Sequence, residues 1–415
     1  MPDEIVIASG VRTPVGSYMG GLKTIEAYDL GAIVLNAVIH RAGIEPHQVD
    51  DVIMGQAYQN GEYVNIARMS LLNAGWPEEI TGFTIDQRCC TGLEVIRLAA
   101  SLIRSGDAEI VVAGGVESMS NAEFYLPGSM KWGIGGEKGM PRGHGDLSIW
   151  GLPFYDRIQR ARVMSQPHHR YGILPSMMAW AETAAVEENV TREECDQWAF
   201  ESHQKAGHAW KNNKFDEEII SVEVPREKGG SEIISTDETP RPETTLEKIA
   251  SLKPVMGGVC TAGNSSTEND GAAAVVVMSA KKAKALGIKP FVSVSTVKVA
   301  GADPTRTHLT VGAAVKKVLA ASGKSLEQVD LIEIQEAFAA QVIADLRDMG
   351  VSPDDYAKVN INGSGISLGH PIAATGLRVL VTLMHEMRRS GKKTGLECIC
   401  GGGGLGIAGI FELYG

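Results

Sequence analysis

Two stretches of helical apolar period lie far apart in the chain, and each is followed by a short apolar run. The first helical pattern spans residues 91–106 and the run after it spans 108–115; the second pair spans 375–391 and 396–402. Apolar residues that recur every three to four positions predict a helix, and a short unbroken apolar run predicts a buried strand. Both helical patterns open on Thr-Gly-Leu and close on Ser-Gly. The chain therefore repeats a helix and a strand in the same order.

An earlier block repeats as well. Residues 48–58 resemble residues 328–338, and both begin with Gln-Val-Asp ahead of an apolar stretch. Chance similarity in Ala-, Gly- and Val-rich segments is the alternative, but three matched blocks in one order favour duplication. We predict two homologous α/β halves.

The region between the two halves differs from them in amino-acid composition. Residues 121–250 hold most of the tryptophans, a Gly/Pro/His-rich stretch at 133–145, a helical segment at 177–210 and a charged tract at 223–247. Long loops in α/β proteins often carry binding or oligomer contacts. We interpret this region as an inserted, loop-rich domain. The predicted domains are a first half over 1–120 and 251–288, the insertion over 121–250, and a second half over 289–415.

Composition narrows the class of protein. The chain has 415 residues, of which 44% are apolar and 21% charged, so it can bury a large core and exceeds one ordinary domain. The net charge is −11 without a basic block, which argues against nucleic-acid or anionic-membrane partners. A small anionic ligand could still bind through local groups.

Targeting and redox signals are sparse. The first residues lack a basic segment followed by a long apolar stretch, so we expect no signal peptide, and no apolar run is long enough to predict a membrane span. Six cysteines are too few for a disulfide scaffold, and we expect a reducing, cytoplasmic compartment. Neither Cys398-x-Cys400 nor His168-His169 has the spacing of a metal site, so no metal is expected.

Candidate chemistry begins at Cys89, which directly precedes the helical pattern at 91–106. A helix N-terminus lowers the pKa of a thiol, although plain packing of a buried cysteine is the alternative. In the second half, His370 lies near the position that matches Cys89, and Cys400 lies at the matching strand end. Two halves packed about a pseudo-dyad would bring a nucleophilic thiol, a histidine base and a second thiol into one site.

Glycines surround these positions. Residues 363–365 and Gly369 flank His370, and the glycine-rich run 401–406 follows Cys400. Such segments let backbone N–H groups point at a thioester oxygen, as in an oxyanion hole. Tight packing between sheet and helix is the alternative explanation.

These residues carry a family resemblance. Cys89 in its Cys-x-x-Gly-Leu setting resembles the nucleophile block of the thiolases, and five further blocks resemble that family in the same order. They span nearly the whole chain and comprise residues 114–120, 261–266, 336–341, 369–376 and 400–404.

The resemblance implies a fold and a reaction. The fold would be the thiolase-like α/β fold, with two duplicated βαβαβαββ halves in a layered α-β-α-β-α arrangement, a loop domain inserted in the first half, and assembly as a homodimer or homotetramer. The reaction would be ping-pong: Cys89 takes an acyl group from acyl-CoA while His370 accepts the thiol proton. Cys400 then deprotonates acetyl-CoA for Claisen condensation, or protonates the leaving enolate in thiolysis.

The resemblance also implies substrates and binding residues. Acetyl-CoA, CoA and 3-ketoacyl-CoA would be substrates in fatty acid metabolism and β-oxidation, with no resident cofactor. Backbone N–H groups of Cys89 and Gly402 would hold a thioester oxygen. Gln335 stands where the family has an asparagine that holds a water. Arg241 would lie near the adenine of CoA and Ser266 near its pantetheine arm.

Several positions depart from the family pattern. Residues 307–311 replace a loop of the acyl pocket, Ser176 stands for a histidine beside the pantetheine with Trp180 nearby, and Cys90 replaces a glycine. His308 is interpreted as a solvated loop histidine, with a polar contact to substrate as the alternative. We expect these changes to affect acyl specificity more than thiol chemistry.

Two other functions stay open. A condensing enzyme of the ketoacyl-synthase type shares the duplicated fold, but that group uses Cys-His-His or Cys-His-Asn, so Cys400 argues against it. An inactive, acyl-CoA-binding homologue would account for Gln335 and the altered residues 307–311.

Overall fold

The computed structural model describes residues 4–127, 154–226 and 229–415. The Gly/Pro/His-rich stretch 133–145 lies outside the described residues. The helices are α1 (Ala27–Ala42), α2 (Ile66–Asn73), α3 (Thr91–Ser105), α4 (Arg157–Val163), α5 (His168–Tyr171), α6 (Met178–Glu187), α7 (Arg192–Lys211), α8 (Leu246–Ala250), α9 (Ala280–Ala285), α10 (Leu309–Ser322), α11 (Ala339–Met349), α12 (Gly365–Leu368) and α13 (Ile372–Ser390). The strands are β1 (Ile5–Arg12), β2 (Gly16–Ser17), β3 (Asp51–Gly55), β4 (Thr81–Ile85), β5 (Ile110–Ser118), β6 (Phe124–Tyr125), β7 (Tyr155–Asp156), β8 (Val222–Pro225), β9 (Ser231–Ile234), β10 (Asn269–Ser279), β11 (Val292–Gly301), β12 (Leu331–Ile334), β13 (Thr394–Gly401) and β14 (Leu405–Leu413).

The strand order shows the duplication directly. The first half runs β4-β3-β5-β10-β1, and the second runs β12-β13-β14-β11. In both halves a parallel pair, β3 with β5 or β12 with β13, is followed by antiparallel neighbours. Val359 forms a parallel bridge to Ile332 at the place that β4 holds in the first half. The predicted duplication is confirmed.

The two halves meet edge to edge. Val6 pairs with Ser293 and Ile7 with Val292, so β1 and β11 join the halves into one sheet of ten strands within the described residues. Since β1 and β11 are the first strands of their halves, this seam passes close to the pseudo-dyad. The sequence patterns did not predict that the sheet is continuous.

The helices α3 and α13 lie between the halves. Helix α3 packs against β5 and β11, and α13 packs against β10 and β13, so each touches strands of both halves. Both end on a left-handed glycine, Gly106 at φ 84° and Gly391 at φ 71°, as their Ser-Gly endings predict. Residues 373–387 of α13 are buried all round, which marks it as the central helix of the molecule.

Three apolar cores separate the layers. One lies around α3 and α13, one packs α1 and α2 against the first half, and one packs α10 and α11 against the second half together with α6 and α7. This is the predicted layered α-β-α-β-α arrangement. No helix within the described residues is both long enough and apolar enough to cross a bilayer.

The described chain between β5 and β10 forms five helices, a hairpin of β8 with β9, and a short antiparallel pair of β6 with β7. Helix α7 is the longest element in the described part of this segment; it begins at a capping box of Thr191 and Glu194 and packs against α11 and α12 of the second half. The segment is thus attached to the half in which it is not inserted, beside the start of α13.

Candidate active site

Cys89 lies in a tight turn that leads into α3. The turn is closed by the side chain of Thr91, whose Oγ1 accepts a hydrogen bond of 2.7 Å from the Gln87 N–H. Arg88 adopts φ 56°, a left-handed backbone that residues other than glycine seldom adopt. Burial raises the pKa of the Cys89 thiol to about 11, although the backbone N–H of Gly402 and the charge of Arg88 favour the thiolate. The expected lowering of this pKa is therefore wrong, because desolvation outweighs the helix start.

His370 faces Cys89 through a defined nitrogen. Its Nε2 lies 3.2 Å from Cys89 Sγ, and its Nδ1 lies 2.7 Å from Thr375 Oγ1. The Thr375 hydroxyl donates its own proton to the Pro371 carbonyl at 2.9 Å, so its oxygen must accept from Nδ1–H. The lone pair of the imidazole is then on Nε2, directed at the thiol.

The histidine is neutral in this environment. Burial, and then the nearby charges of Arg378 and Arg162, lower the pKa of His370 to about 3. A neutral imidazole beside a protonated thiol is the resting state of a general base paired with its nucleophile.

Asn269 of the first half holds the His370 loop of the second. Its Oδ1 accepts from the His370 N–H at 2.8 Å, and its Nδ2 donates to the Gly16 carbonyl at 2.9 Å. Gly369 has φ 89°, and a Cβ there would lie 2.7 Å from the Asn269 side chain, so only glycine fits. The sequence analysis missed Asn269 because nothing in its local pattern marks it.

Cys400 is the penultimate residue of β13 and is buried at the cavity wall. Burial, followed by the charges of Asp345 and Cys89, raises the pKa of its thiol well above the usual range. Gly403 and Gly404 continue in the left-handed region at φ 90° and 77°, which turns the chain into β14. This turn brings the Gly402 N–H to the sulfur of Cys89.

One cavity of about 530 Å³ unites the predicted residues. Six of the seven predicted residues line it: Cys89, His370, Cys400, Gly402, Arg241 and Ser266. Ser176 and Trp180 line it as well. Residues from the two ends of the chain and from the insertion therefore meet around a single space large enough for a small molecule.

Gln335 is the exception among the seven. It is fully buried at the end of β12, where its N–H donates to the Cys398 carbonyl and its Oε1 accepts from Arg378 at 3.4 Å. It is not among the residues that line the described cavity. Its predicted role in holding a water stays a prediction.

The altered residues 307–311 lie elsewhere than expected. None is among the lining residues of the described cavity; Thr310 Oγ1 instead donates to the Leu405 carbonyl at 2.7 Å, behind the glycine-rich turn. His308 is 2% exposed, with Nε2 3.0 Å from Glu187 Oε2. The interpretation of His308 as a solvated loop histidine is wrong, because the side chain is buried. His308 is not among the residues that line the described cavity, and its contact to substrate stays a prediction. Cys90 has an ordinary helical backbone, so no glycine is required there.

Among the lining residues that the sequence analysis missed, four have ionisable side chains that face the cavity chemistry: Tyr58, Arg88, Arg162 and Glu268. Arg88 adjoins the nucleophile and could have been singled out on that ground. Arg162 belongs to α4 of the insertion and pairs with Glu268 at 2.7 Å. Only the tertiary structure shows that this ion pair lines the same cavity as Cys89.

Comparisons with known proteins agree with this geometry. A family model described as "Thiolase, N-terminal domain" matches residues 5–281, and one described as "Thiolase, C-terminal domain" matches residues 288–413. The acetyl-CoA acetyltransferase of Syntrophomonas wolfei subsp. wolfei is 42% identical over 417 residues, which cover 99% of this chain and 100% of the relative. That of Cupriavidus necator is 44% identical over 407 residues, which cover 98% of each chain.

Solved structures give the same result. The crystal structure of the Bacillus anthracis acetyl-CoA acetyltransferase superposes with a TM-score of 0.91 at 38% identity. The human mitochondrial 3-ketoacyl-CoA thiolase superposes with a TM-score of 0.88 at 33% identity. Each match covers 99% of this chain and 99% of the other.

The chain therefore belongs to the thiolase family. Within that family it is an enzyme of the acyltransferase class.

Proposed function

We propose that this protein catalyses reversible, ping-pong acyl transfer between CoA thioesters, cleaving a 3-ketoacyl-CoA with CoA to give an acyl-CoA and acetyl-CoA. The observation that carries the proposal is the contact of 3.2 Å between His370 Nε2 and Cys89 Sγ, on a cavity that Cys400 also lines. The names of the relatives, acetyl-CoA acetyltransferase among them, support CoA thioesters as substrates.

In the first half-reaction, described for acyl-CoA, Cys89 is the nucleophile. As its sulfur attacks the thioester carbonyl carbon, the thiol proton passes to His370 Nε2. The carbonyl oxygen gains negative charge, which the N–H groups of Cys89 and Gly402 would stabilise; in the resting site both lie beside the Cys89 sulfur. The bond from carbon to the CoA sulfur then breaks, the CoA thiolate takes the proton from His370, and the acyl group stays on Cys89.

In the second half-reaction Cys400 transfers a proton from or to the methyl carbon of acetyl-CoA. In condensation it removes a proton from the methyl group of acetyl-CoA, and the resulting enolate carbon attacks the acyl carbon on Cys89. In thiolysis the steps reverse, and Cys400 returns the proton to the enolate as the bond between carbons breaks. Burial of the Cys400 thiol keeps it protonated at rest, which is the form that thiolysis requires.

The CoA moiety would enter past Arg241 and Ser266. Arg241 is exposed at the rim of the cavity, and its charge suits the phosphates and adenine end of CoA. Ser266 also lines the cavity, and its N–H is already bound to the Ala337 carbonyl at 2.9 Å, so its hydroxyl would be the group that contacts the pantetheine. In this proposal the inserted segment supplies one wall of the CoA site.

The physiological setting stays a prediction. The free energy of the Claisen step favours cleavage, so we propose the degradative direction, in fatty acid β-oxidation. A homodimer or homotetramer in the cytoplasm is our expectation from the resemblance, and size-exclusion chromatography with light scattering would test the assembly.

Purified protein, acetoacetyl-CoA and CoA provide the direct test of the activity. We expect loss of the enolate absorbance of acetoacetyl-CoA that depends on CoA, and its abolition in Cys89→Ala. A wild-type protein that binds acetoacetyl-CoA without turnover would contradict the proposal and favour the binding-only homologue. Acyl transfer that survives Cys89→Ala would remove the mechanism.

A further inference from the structure

The described cavity carries a net positive charge although the protein as a whole is acidic. The whole chain has a net charge of −11, yet the ionised side chains lining the cavity are Arg88, Arg162, Arg241 and Glu268. Arg162 and Glu268 form an ion pair of 2.7 Å and largely cancel each other. Arg241, at the rim, is assigned to CoA. Arg88 is thus the remaining positive charge that has no assigned partner, and it lies at the inner end of the cavity.

Arg88 has no acidic partner among the described residues. Its guanidinium Nη2 makes a single, long hydrogen bond of 3.4 Å to the Ala161 carbonyl. The nearest carboxylate in sequence, Asp86, accepts from the backbone N–H of Arg88 at 2.7 Å instead of from its guanidinium. Arg88 is half-buried, and its guanidinium keeps most of its donors free of protein partners among the described residues.

The position of Arg88 places this charge at the acyl end. It directly precedes Cys89, and Tyr58 is close enough to Arg88, Arg162 and Cys89 for all three charges to affect its hydroxyl. The pantetheine arm separates the CoA phosphates from the thioester by more than the reach of one side chain, so Arg88 cannot serve them. We infer that its partner is part of the acyl group.

Building on the proposed function, we propose that Arg88 is a specificity-determining residue that selects acyl groups ending in a carboxylate, so that the preferred substrates are 3-ketoacyl-CoA thioesters of short dicarboxylic acids. The guanidinium and a carboxylate form paired, charge-assisted hydrogen bonds, which neutral acyl chains cannot make. Tyr58 lines the same cavity.

The reaction itself is the same as for a neutral chain. With 3-oxoadipyl-CoA, the bond between carbons 2 and 3 breaks, the succinyl group stays on Cys89, and acetyl-CoA leaves. CoA then takes the succinyl group, so that 3-oxoadipyl-CoA and CoA give succinyl-CoA and acetyl-CoA. The distal carboxylate takes no part in bond making and contributes binding and orientation alone.

The test compares two substrates with the same number of chain carbons. 3-Oxoadipyl-CoA ends in a carboxylate and 3-oxohexanoyl-CoA ends in a methyl group, so the ratio of their kcat/KM values reports on recognition of the carboxylate. We expect the wild-type protein to favour 3-oxoadipyl-CoA by about tenfold or more, the range of a charge-assisted hydrogen bond. Arg88→Met should bring the ratio to one or below, and Arg88→Lys should retain part of it.

Two further variants sharpen the comparison. Glu268→Gln removes the carboxylate that lines the cavity and pairs with Arg162, and should raise the ratio. Arg160→Met is the matched control, because Arg160 lies on the same helix α4 as Arg162 but stacks on the Tyr155 ring at 4.5 Å, away from the cavity lining. Its ratio should equal that of the wild type.

Several outcomes would overturn the inference. A wild-type ratio of one or less excludes selection for a carboxylate. Equal loss of kcat/KM on both substrates in Arg88→Met would show that Arg88 assists Cys89 and does not recognise the acyl group. Turnover of acetoacetyl-CoA in parallel separates the two proposals: if it proceeds while the ratio fails, only the inference falls, and if no thioester is cleaved, the proposed function falls with it.

Discussion

Gly92 and Gly376 touch backbone to backbone where α3 and α13 cross. A Cβ on Gly92 would lie 2.7 Å from the Gly376 nitrogen, and one on Gly376 would lie 2.6 Å from the Leu93 nitrogen. The two glycines are equivalent positions of the duplicated halves. Their contact sets the separation between the helix starts that carry Cys89 and His370, so the spacing of the catalytic pair depends on it.

Substitution of either glycine should therefore damage both stability and activity. Gly92→Ala or Gly376→Ala would force two backbones apart, and overpacking of this kind costs about 2 kcal/mol in the free energy of unfolding. Urea unfolding measures that loss, and kcat should fall with it. Gly61→Ala is the control, because a Cβ there would meet only Glu123 Oε2 at 3.8 Å. Equal stability in all three variants would contradict this account of the helix crossing.

Thr375 should act on the reaction through His370. Thr375→Val removes the acceptor of Nδ1–H, so the imidazole loses the contact that keeps its Nε2 lone pair on Cys89. We expect kcat to fall about tenfold with KM for CoA unchanged, and Thr375→Ser to restore most of the rate. Steady-state kinetics with acetoacetyl-CoA gives both numbers. A rise in KM at constant kcat would instead assign Thr375 to binding.

His370 should make the fold less stable in acid. Its pKa is about 3 in the folded protein and near 6.5 in the unfolded chain, so the unfolded chain binds one more proton between these values. The free energy of unfolding should therefore fall as pH drops from 6.5 towards 4, by up to about 1.4 kcal/mol per pH unit from this group. His370→Asn should show a shallower decline. Parallel slopes for both proteins would show that His370 titrates normally.

The resting pair should contain no thiolate. Because burial raises the pKa of Cys89 to about 11 and lowers that of His370, both groups are neutral at pH 7. The difference in ultraviolet thiolate absorbance between wild type and Cys89→Ala should be absent at pH 7 and grow towards pH 11. A thiolate signal already complete at pH 7 would mean that Gly402 and Arg88 outweigh burial.

Matched blocks in the sequence predicted the parts of the site that duplication controls. Cys89, His370 and Cys400 stand at equivalent helix starts and strand ends, and equivalent positions meet at a pseudo-dyad once the halves pack. The layered fold follows from the same pattern. Each of these features depends on residues that are close together in sequence and occur in both halves, so each could be predicted from the sequence alone.

Features that depend on contacts between segments far apart in the chain could not be predicted from the sequence. The cavity wall of Arg162 and Glu268 joins the insertion to the loop before β10, and Asn269 holds a loop that lies 101 positions away. The sequence predicts a solvated His308 because it does not reveal the partner of this side chain, Glu187, which is 121 positions away. The pKa of Cys89 was misjudged since a helix start is visible in sequence but the depth of burial is not.

The central claim is that Cys89 carries the acyl group and that Cys400 transfers the proton on carbon. Trapping the acyl-enzyme tests this claim most directly. Cys400→Ala incubated with acetyl-CoA and examined by intact mass and peptide mapping should carry one acetyl group on Cys89, while its cleavage of acetoacetyl-CoA is lost. Cys89→Ala should carry none. An acetyl group on any other residue, or undiminished cleavage by Cys400→Ala, would contradict the account.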